Sequence, residues 1–355
     1  MTEALLEITA LEMTFAHPTK PGKRIHAVDN VTFSVSPGEV VGLVGESGSG
    51  KSTVGRCVLG LESPTGGSVR FEGEDITHAK RRQRERIATD LQVVFQDPYS
   101  SLNPFLTVGE SICEPLRNAS KLTRDDAMEA ARDMLVLVGL PREAVDRYPR
   151  EFSGGQRQRI AIARALVLEP KLVVCDEAVS ALDLSTQAQV LNLLASLAKQ
   201  RNLAYVFIAH DLDVVHYIAD RTVVLYRGRV MEQGDAAAVH DAPLHPYTAA
   251  LLTAAPVTDP IEQAERRTVR RELLSRSVSS APAGPATGAT GCPYAARCAF
   301  ASDVCQTTRP RDTPVDARTV ACHMYDGASG HPLVDAVPEF SSQHVIEGVR
   351  SHDAA

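Results

Sequence analysis

The sequence predicts an α/β fold built around a phosphate-binding loop, with an antiparallel β layer, a helical insertion and a small cysteine-rich C-terminal extension. Three observations predict it. An apolar run at 39–44 leads into Gly45-Glu46-Ser47-Gly48-Ser49-Gly50-Lys51-Ser52; two more apolar runs, at 171–175 and 203–209, enclose helix-forming sequence; and four cysteines lie between 292 and 322. Short apolar runs joined by helices read as buried parallel strands in βαβ units.

From the N-terminal side, 5–15, 31–35 and 69–71 have the short alternating pattern of antiparallel strands. They flank the 39–44 strand and a helix that starts near Lys51. From about 107 to 148 the sequence turns helical, and 127–140 carries apolar residues at three- and four-residue spacing, so a helical subdomain of about 105–165 is expected. The core then resumes at 171–175 and 203–209, around a helix at about 186–199. The main domain is therefore 1–255. Residues 256–290 are rich in charge and then in Ser, Ala, Pro and Gly, which is linker composition. Residues 291–325 form the cysteine-rich segment, and the polar tail 326–355 is expected to be disordered.

With 355 residues and 44% hydrophobic content, the chain is long enough for one large core and an appendage. The start of the sequence has neither a basic n-region nor an apolar h-region, and no apolar run reaches about 18 residues. Any membrane association is then expected to run through a partner. The formal net charge of -7 gives no reason to expect a nucleic-acid ligand. Seven cysteines in such a chain favour reduced thiols or metal ligands over a secreted disulfide framework.

The phosphate-binding loop has the G-x-x-x-x-G-K-S form. Its glycines let backbone N–H groups turn inward onto phosphate oxygens, Lys51 brings a point charge to the β- and γ-phosphates, and Ser52 brings a hydroxyl to Mg²⁺. Gly45, Glu46, Ser47, Gly48, Ser49, Gly50, Lys51, Ser52 and Thr53 are the expected ATP contacts. A second anion site is written as Ser153-Gly154-Gly155-Gln156, ahead of a helical stretch whose N-terminus favours negative charge. Taken alone, that serine would read as a helix cap.

With both elements in this order, the sequence resembles the ATP-binding cassette family, over roughly residues 5–255. The resemblance implies a cassette-type nucleotide-binding domain that works as a head-to-tail dimer, with Ser153, Gly154, Gly155 and Gln156 engaging ATP held by the opposite subunit's phosphate-binding loop. Asp176 and Glu177, ending the 171–175 strand, look like the carboxylate pair in which Asp176 holds Mg²⁺ through water and Glu177 is the general base. His210 matches the switch histidine at the γ-phosphate, and Gln96 the glutamine that reaches Mg²⁺ and the attacking water. Asp183, in Ser180-Ala181-Leu182-Asp183, matches the loop that crosses the dimer interface. Phe15 is the aromatic expected to stack on adenine, or else a strand core residue. Ala178 stands where the family often has proline, at a turn position with no evident ligand contact.

A narrower resemblance, carried by residues 96–104 and 244–252, is to the ATPases of oligopeptide, dipeptide and nickel importers. It implies two transmembrane permease subunits, a second cassette from the same or a homologous chain, and an extracytoplasmic solute-binding protein acting indirectly. The protein would then lie at the cytoplasmic face of the cell membrane. In the same importers, some extensions like Cys292-x₅-Cys298-x₆-Cys305-x₁₆-Cys322 hold a 4Fe-4S cluster; zinc, disulfides and merely reduced thiols are the other readings of these residues. Cys57, Cys113 and Cys175 lie in apolar stretches and read as small buried hydrophobes. The alternatives to a peptide importer ATPase are a soluble cassette ATPase of DNA repair or translation, an exporter, or an importer of nickel or another small solute.

Overall fold

The computed structural model describes residues 4–254 apart from 18, 98–100 and 120–121, together with 263–264, 290–338 and 340. In chain order the strands are β1 (Leu6–Ala16), β2 (Arg24–Val35), β3 (Val40–Val44), β4 (Gly66–Phe71), β5 (Glu74–Asp75), β6 (Leu91–Val94), β7 (Leu172–Asp176), β8 (Ala204–Ala209), β9 (Arg221–Tyr226), β10 (Arg229–Asp235), β11 (Asp312–Val315) and β12 (Arg318–Ala321). The helices are α1 (Lys51–Leu59), α2 (Arg81–Ile87), α3 (Val108–Ala119), α4 (Arg124–Leu137), α5 (Gly154–Leu166), α6 (Leu184–Arg201), α7 (Leu212–Ile218), α8 (Ala236–Asp241), α9 (Pro246–Ala254) and α10 (Asp303–Thr307).

Two sheets face each other. The antiparallel layer has the order β2-β1-β4-β5, and the larger sheet runs β11-β12-β10-β9-β3-β8-β7-β6. Within the larger sheet β9, β3, β8, β7 and β6 are parallel. Every residue of β3 is buried because alternate side chains enter opposite cores. Val41 and Leu43 pack with α1 and the antiparallel layer, whereas Val40 and Val44 pack on the side of the helical subdomain. That two-sided burial is why the run is uniformly apolar.

The helical subdomain comprises α3, α4 and α5, packed on one another. Thr123 caps α4 by accepting from Asp126 N, and the helix ends before Gly139, whose φ of 75° is left-handed.

The extension departs from the expected tethered appendage. Its hairpin β11–β12 pairs with β10, Glu232 opposite Val320 and Gln233 opposite Thr319, so it continues the main sheet. Two four-residue strands bury too little to stand alone, and the existing sheet edge supplies what they lack. Part of the segment expected to be a disordered tail, 326–338 and Phe340, lies among the described residues. His331 donates from Nε2 to Phe300 O at 3.0 Å, and Phe340 meets the Phe300 ring edge-on at 5.4 Å, so both residues are tied to Phe300 of the extension. The expected linker at 256–290 lies outside the described residues except for 263–264 and 290, as does the tail from 341 onward. Among the described residues, no helix is long and apolar enough to cross a membrane.

Candidate active site

Parallel strands ending on one edge bring the chemistry together. In register, Val44 sits beside Ala209, Asp176 beside Ile208, and Cys175 beside Val94. The residues that follow are thus neighbours: the phosphate-binding loop after β3, His210 after β8, the Asp176-Glu177 pair at the end of β7, and Gln96 just past β6.

The loop conformation depends on its glycines. Gly45, Gly48 and Gly50 all have positive φ, and a Cβ on Gly50 would lie 2.3 Å from Ala27 O. Lys51 is buried and donates from Nζ to the carbonyls of Gly45 (2.7 Å) and Glu46 (3.0 Å). Burial lowers its pKa, and the nearby carboxylates of Glu177, Asp176 and Glu46 pull it back up. Ser52 Oγ donates to Asp176 Oδ1 at 2.9 Å, linking the loop to β7.

Glu177 has a left-handed backbone, φ 50°, strained for a residue with a side chain. Its N–H donates to Ile208 O at 3.0 Å, and its carbonyl accepts from Ser180 N and Oγ. Its carboxylate accepts from Gln96 Nε2 at 2.8 Å, and the same amide lies 3.2 Å from Ser180 Oγ. His210 is exposed at the end of β8, next to Asp211, which caps α7.

Lys51, Ser52, Asp176, Glu177 and Gln96 are therefore joined by side-chain or electrostatic contacts. Ser153 and Gln156 bond each other in a reciprocal capping box at the start of α5, with Gly154 and Gly155 as the first residues of that helix. Asp183 caps α6, and hydrogen bonds from Ser185 and Thr186 hold its carboxyl well below the usual range. Phe15 is half-buried against the core of the antiparallel layer. Residues 98–100, within the quoted 96–104 segment, lie outside the described residues.

The four cysteines of the extension are close neighbours. Cys292 N donates to Cys305 O at 2.8 Å, all four thiols are free, and Cys298 interacts electrostatically with Cys322, Cys292 and Cys305. Burial raises the pKa of Cys292 and Cys322, each to about 12. Cys57, Cys113 and Cys175 are free and buried. Among the described residues the group of three with ligand atoms within 4.8 Å of one another is His216, His240 and Asp241. Both His240 nitrogens already face carboxylates, of Asp213 and Asp241, and the Asp213 bond raises its pKa toward a charged imidazolium.

Sequence reasoning missed the support beneath the loop. Tyr226, Tyr247 and Tyr294 form an aromatic cluster with centroids 4.6 to 5.3 Å apart. The Tyr247 hydroxyl accepts from Glu46 N at 2.9 Å, and Arg297 forks onto the Glu46 carboxylate at 2.8 and 2.9 Å. The quoted 244–252 segment holds Tyr247 in place: buried Glu232 accepts from Leu244 N and His245 N, and His245 Nδ1 accepts from Tyr247 N. Nothing about an arginine between two cysteines signals such a contact in sequence.

Fold and site together define a phosphate-loop cassette that hydrolyses ATP. Residues 28–180 match the family described as ABC transporter, and residues 231–305 match that described as the oligopeptide/dipeptide transporter C-terminal region. The chain is 48% identical over 284 residues to a putative peptide import ATP-binding protein of Brucella ovis, covering 80% of this chain and 87% of that one. It is 45% identical over 315 residues to the oligopeptide transport ATP-binding protein OppF of Salmonella typhimurium, covering 87% and 92%. Among solved structures, it is similar to cbiO1 of Clostridium perfringens, part of an ABC transporter complex (TM-score 0.60, 27% identity, 67% of this chain and 90% of that one). It is likewise similar to the dimeric ATP-binding cassette MJ0796 bound to ADP and Pi (TM-score 0.59, 28% identity, 65% and 98%). The chain belongs to the ATP-binding subunits of ABC transporters, in the branch that carries the oligopeptide/dipeptide C-terminal region.

Proposed function

We propose that this chain is the ATPase subunit of an importer of peptides, working as one of two cassettes beneath two membrane permeases. The observation that carries the reading is that β10, where the oligopeptide/dipeptide match begins, lies in the same sheet as β3, the strand that leads into the phosphate-binding loop. The names of its relatives, peptide import and oligopeptide transport, support the substrate class. A homologous or identical second cassette completes the site, with its Ser153-Gly154-Gly155-Gln156 facing the first chain's ATP; the dimeric MJ0796 cassette supports that arrangement. The protein is peripheral to the cytoplasmic face, and a solute-binding protein delivers the peptide to the permeases from the other side.

Loop N–H groups and Lys51 hold the β- and γ-phosphates. Ser52 and Asp176, a hydroxyl and a carboxylate 2.9 Å apart, fit a hard cation such as Mg²⁺, which neutralises phosphate charge when bound. Glu177 takes the proton of the attacking water, His210 contacts the γ-phosphate, and water and ATP become ADP and phosphate. Gln96, bonded to Glu177 here, would help hold Mg²⁺ and the attacking water, and its place just past β6 would let it pass the presence of ATP to the helical subdomain. Phe15 stacks on adenine, and Asp183 lies along the dimer interface. Four free, clustered thiols fit a 4Fe-4S cluster held by Cys292, Cys298, Cys305 and Cys322, which cross-links the extension.

Uptake of a labelled oligopeptide by cells lacking the chain tests the reading. Uptake is expected to fall to background and to return with the wild type but not with Glu177→Gln. Unchanged uptake in the deletion overturns peptide as the substrate class, and nickel or another small solute is then assayed in the same cells.

A further inference from the structure

The extension reaches the phosphate-binding loop at Glu46, whose N–H, carbonyl and carboxylate are all hydrogen-bonded. Its N–H goes to Tyr247 Oη at 2.9 Å, its carbonyl accepts from Lys51 Nζ and Ser49 N, and its carboxylate takes both arms of Arg297. The ion pair is shielded, with side chains 29% and 22% exposed, and the guanidinium also lies 5.8 and 5.7 Å from the Tyr226 and Tyr294 ring centres. An arginine fork on a carboxylate fixes geometry as well as charge. The strand-and-turn that carries Tyr226 presses on the same loop, since Gly228 N donates to Ser49 O at 2.7 Å.

We propose that Arg297 is a positioning residue for ATP: from the cysteine-rich extension it fixes the phosphate-binding loop and neutralises the Glu46 carboxylate, which would otherwise stand beside the incoming phosphates. Arg297 touches neither substrate nor reacting atoms. Its segment is set by Arg297 N donating to Tyr294 O and Cys298 N to Ala295 O, between Cys292 and Cys298. The extension is thus part of the nucleotide site's frame. A preformed loop binds more tightly than one that must be ordered by its ligand.

The inference rests on the phosphate-binding loop being the ATP site, and its test separates the two. Full-length wild type, Arg297→Gln, Glu46→Gln and the double variant are titrated with Mg²⁺ and a fluorescent ATP analogue, and steady-state hydrolysis is measured alongside. Arg297→Gln is expected to raise Kd and KM about tenfold with kcat within about twofold. Glu46→Gln on top of it is expected to restore affinity to within about threefold of wild type, because the unneutralised charge is gone. A purely structural loss would not be rescued by removing Glu46's charge. Wild-type affinity in Arg297→Gln, or a double variant as weak as Arg297→Gln, overturns the inference. No nucleotide binding by the wild type overturns the functional reading instead. If Arg297→Gln loses its fold by circular dichroism, Arg297→Lys carries the test. It keeps the charge and loses the fork, so intermediate affinity supports the role and unchanged affinity overturns it.

Discussion

Gln96 Nε2 donates to Glu177 Oε2 at 2.8 Å, so the amide just past β6 is bonded to the carboxylate at the end of β7 that we propose as the general base. On the proposed roles, nucleotide binding would draw on the same two side chains. Glu177 has a left-handed backbone anchored to Ile208 O, while Gln96 sits on a loop just past its strand.

If Glu177 is the base, replacing its carboxylate by an amide of the same shape removes the base while keeping the shape of the side chain. Glu177→Gln should lower kcat by about 10²- to 10⁴-fold with Kd for ATP within a few-fold of wild type. Single-turnover hydrolysis and nucleotide titration check both halves, and undiminished turnover contradicts the role.

Gly50→Ala should disable the loop. The added methyl would meet Ala27 O at 2.3 Å with a φ of 106° that side chains rarely adopt. A loss of about 2 kcal/mol of stability and at least tenfold in ATP affinity is expected. Thermal unfolding with and without Mg-ATP reads both, and a wild-type ligand-induced shift would contradict the tight backbone approach.

The support beneath the loop has a pH signature. Burial pushes the His245 pKa down from 6.5 to about 3, so the folded chain keeps it neutral where the unfolded chain would protonate it. Its contribution to stability is present above pH 6.5 and is lost as pH falls toward 3, at up to about 1.4 kcal/mol per pH unit for one proton. Glu232, whose pKa is raised by burial in the same pocket, works in the opposite direction. The informative quantity is therefore the difference in slope between wild type and His245→Gln, measured by denaturant unfolding from pH 7 to 5. A shallower slope in the variant is expected, and equal slopes contradict a buried neutral His245.

Much of this site was legible in the sequence, for a physical reason. Residues that grip phosphate or activate water must be particular types at the ends of particular strands, and Lys51, Ser52, Asp176 and Glu177 stand where those ends were expected. Ser153, read from the family resemblance as an ATP contact, is in the structure the N-cap of α5, the reading a serine ahead of a helix has when taken alone. What was not legible was tertiary. β11 and β12 are too short to announce themselves as strands, and their partner β10 lies some 80 residues earlier. Arg297 and Glu46 are separated by 251 positions, and no local pattern links them. The contact between Phe340 and Phe300 joins residues 40 positions apart, and no local pattern announces it.

The four thiols make a prediction about metal. Purified anaerobically, the protein should contain iron and acid-labile sulfide, and Cys322→Ser should lose both and melt about 5 °C lower. Zinc at one equivalent without sulfide contradicts the cluster, as does metal-free protein of unchanged stability.

The central claim, an ATPase that drives a peptide importer, is tested most directly by its company. Tagged Glu177→Gln, trapped with ATP, is recovered from native membranes and its co-purifying proteins are identified by mass spectrometry. The account predicts two multi-span permeases together with a second cassette, identical or homologous. Recovery of only ribosomal or DNA-bound partners would contradict it and favour a soluble cassette ATPase.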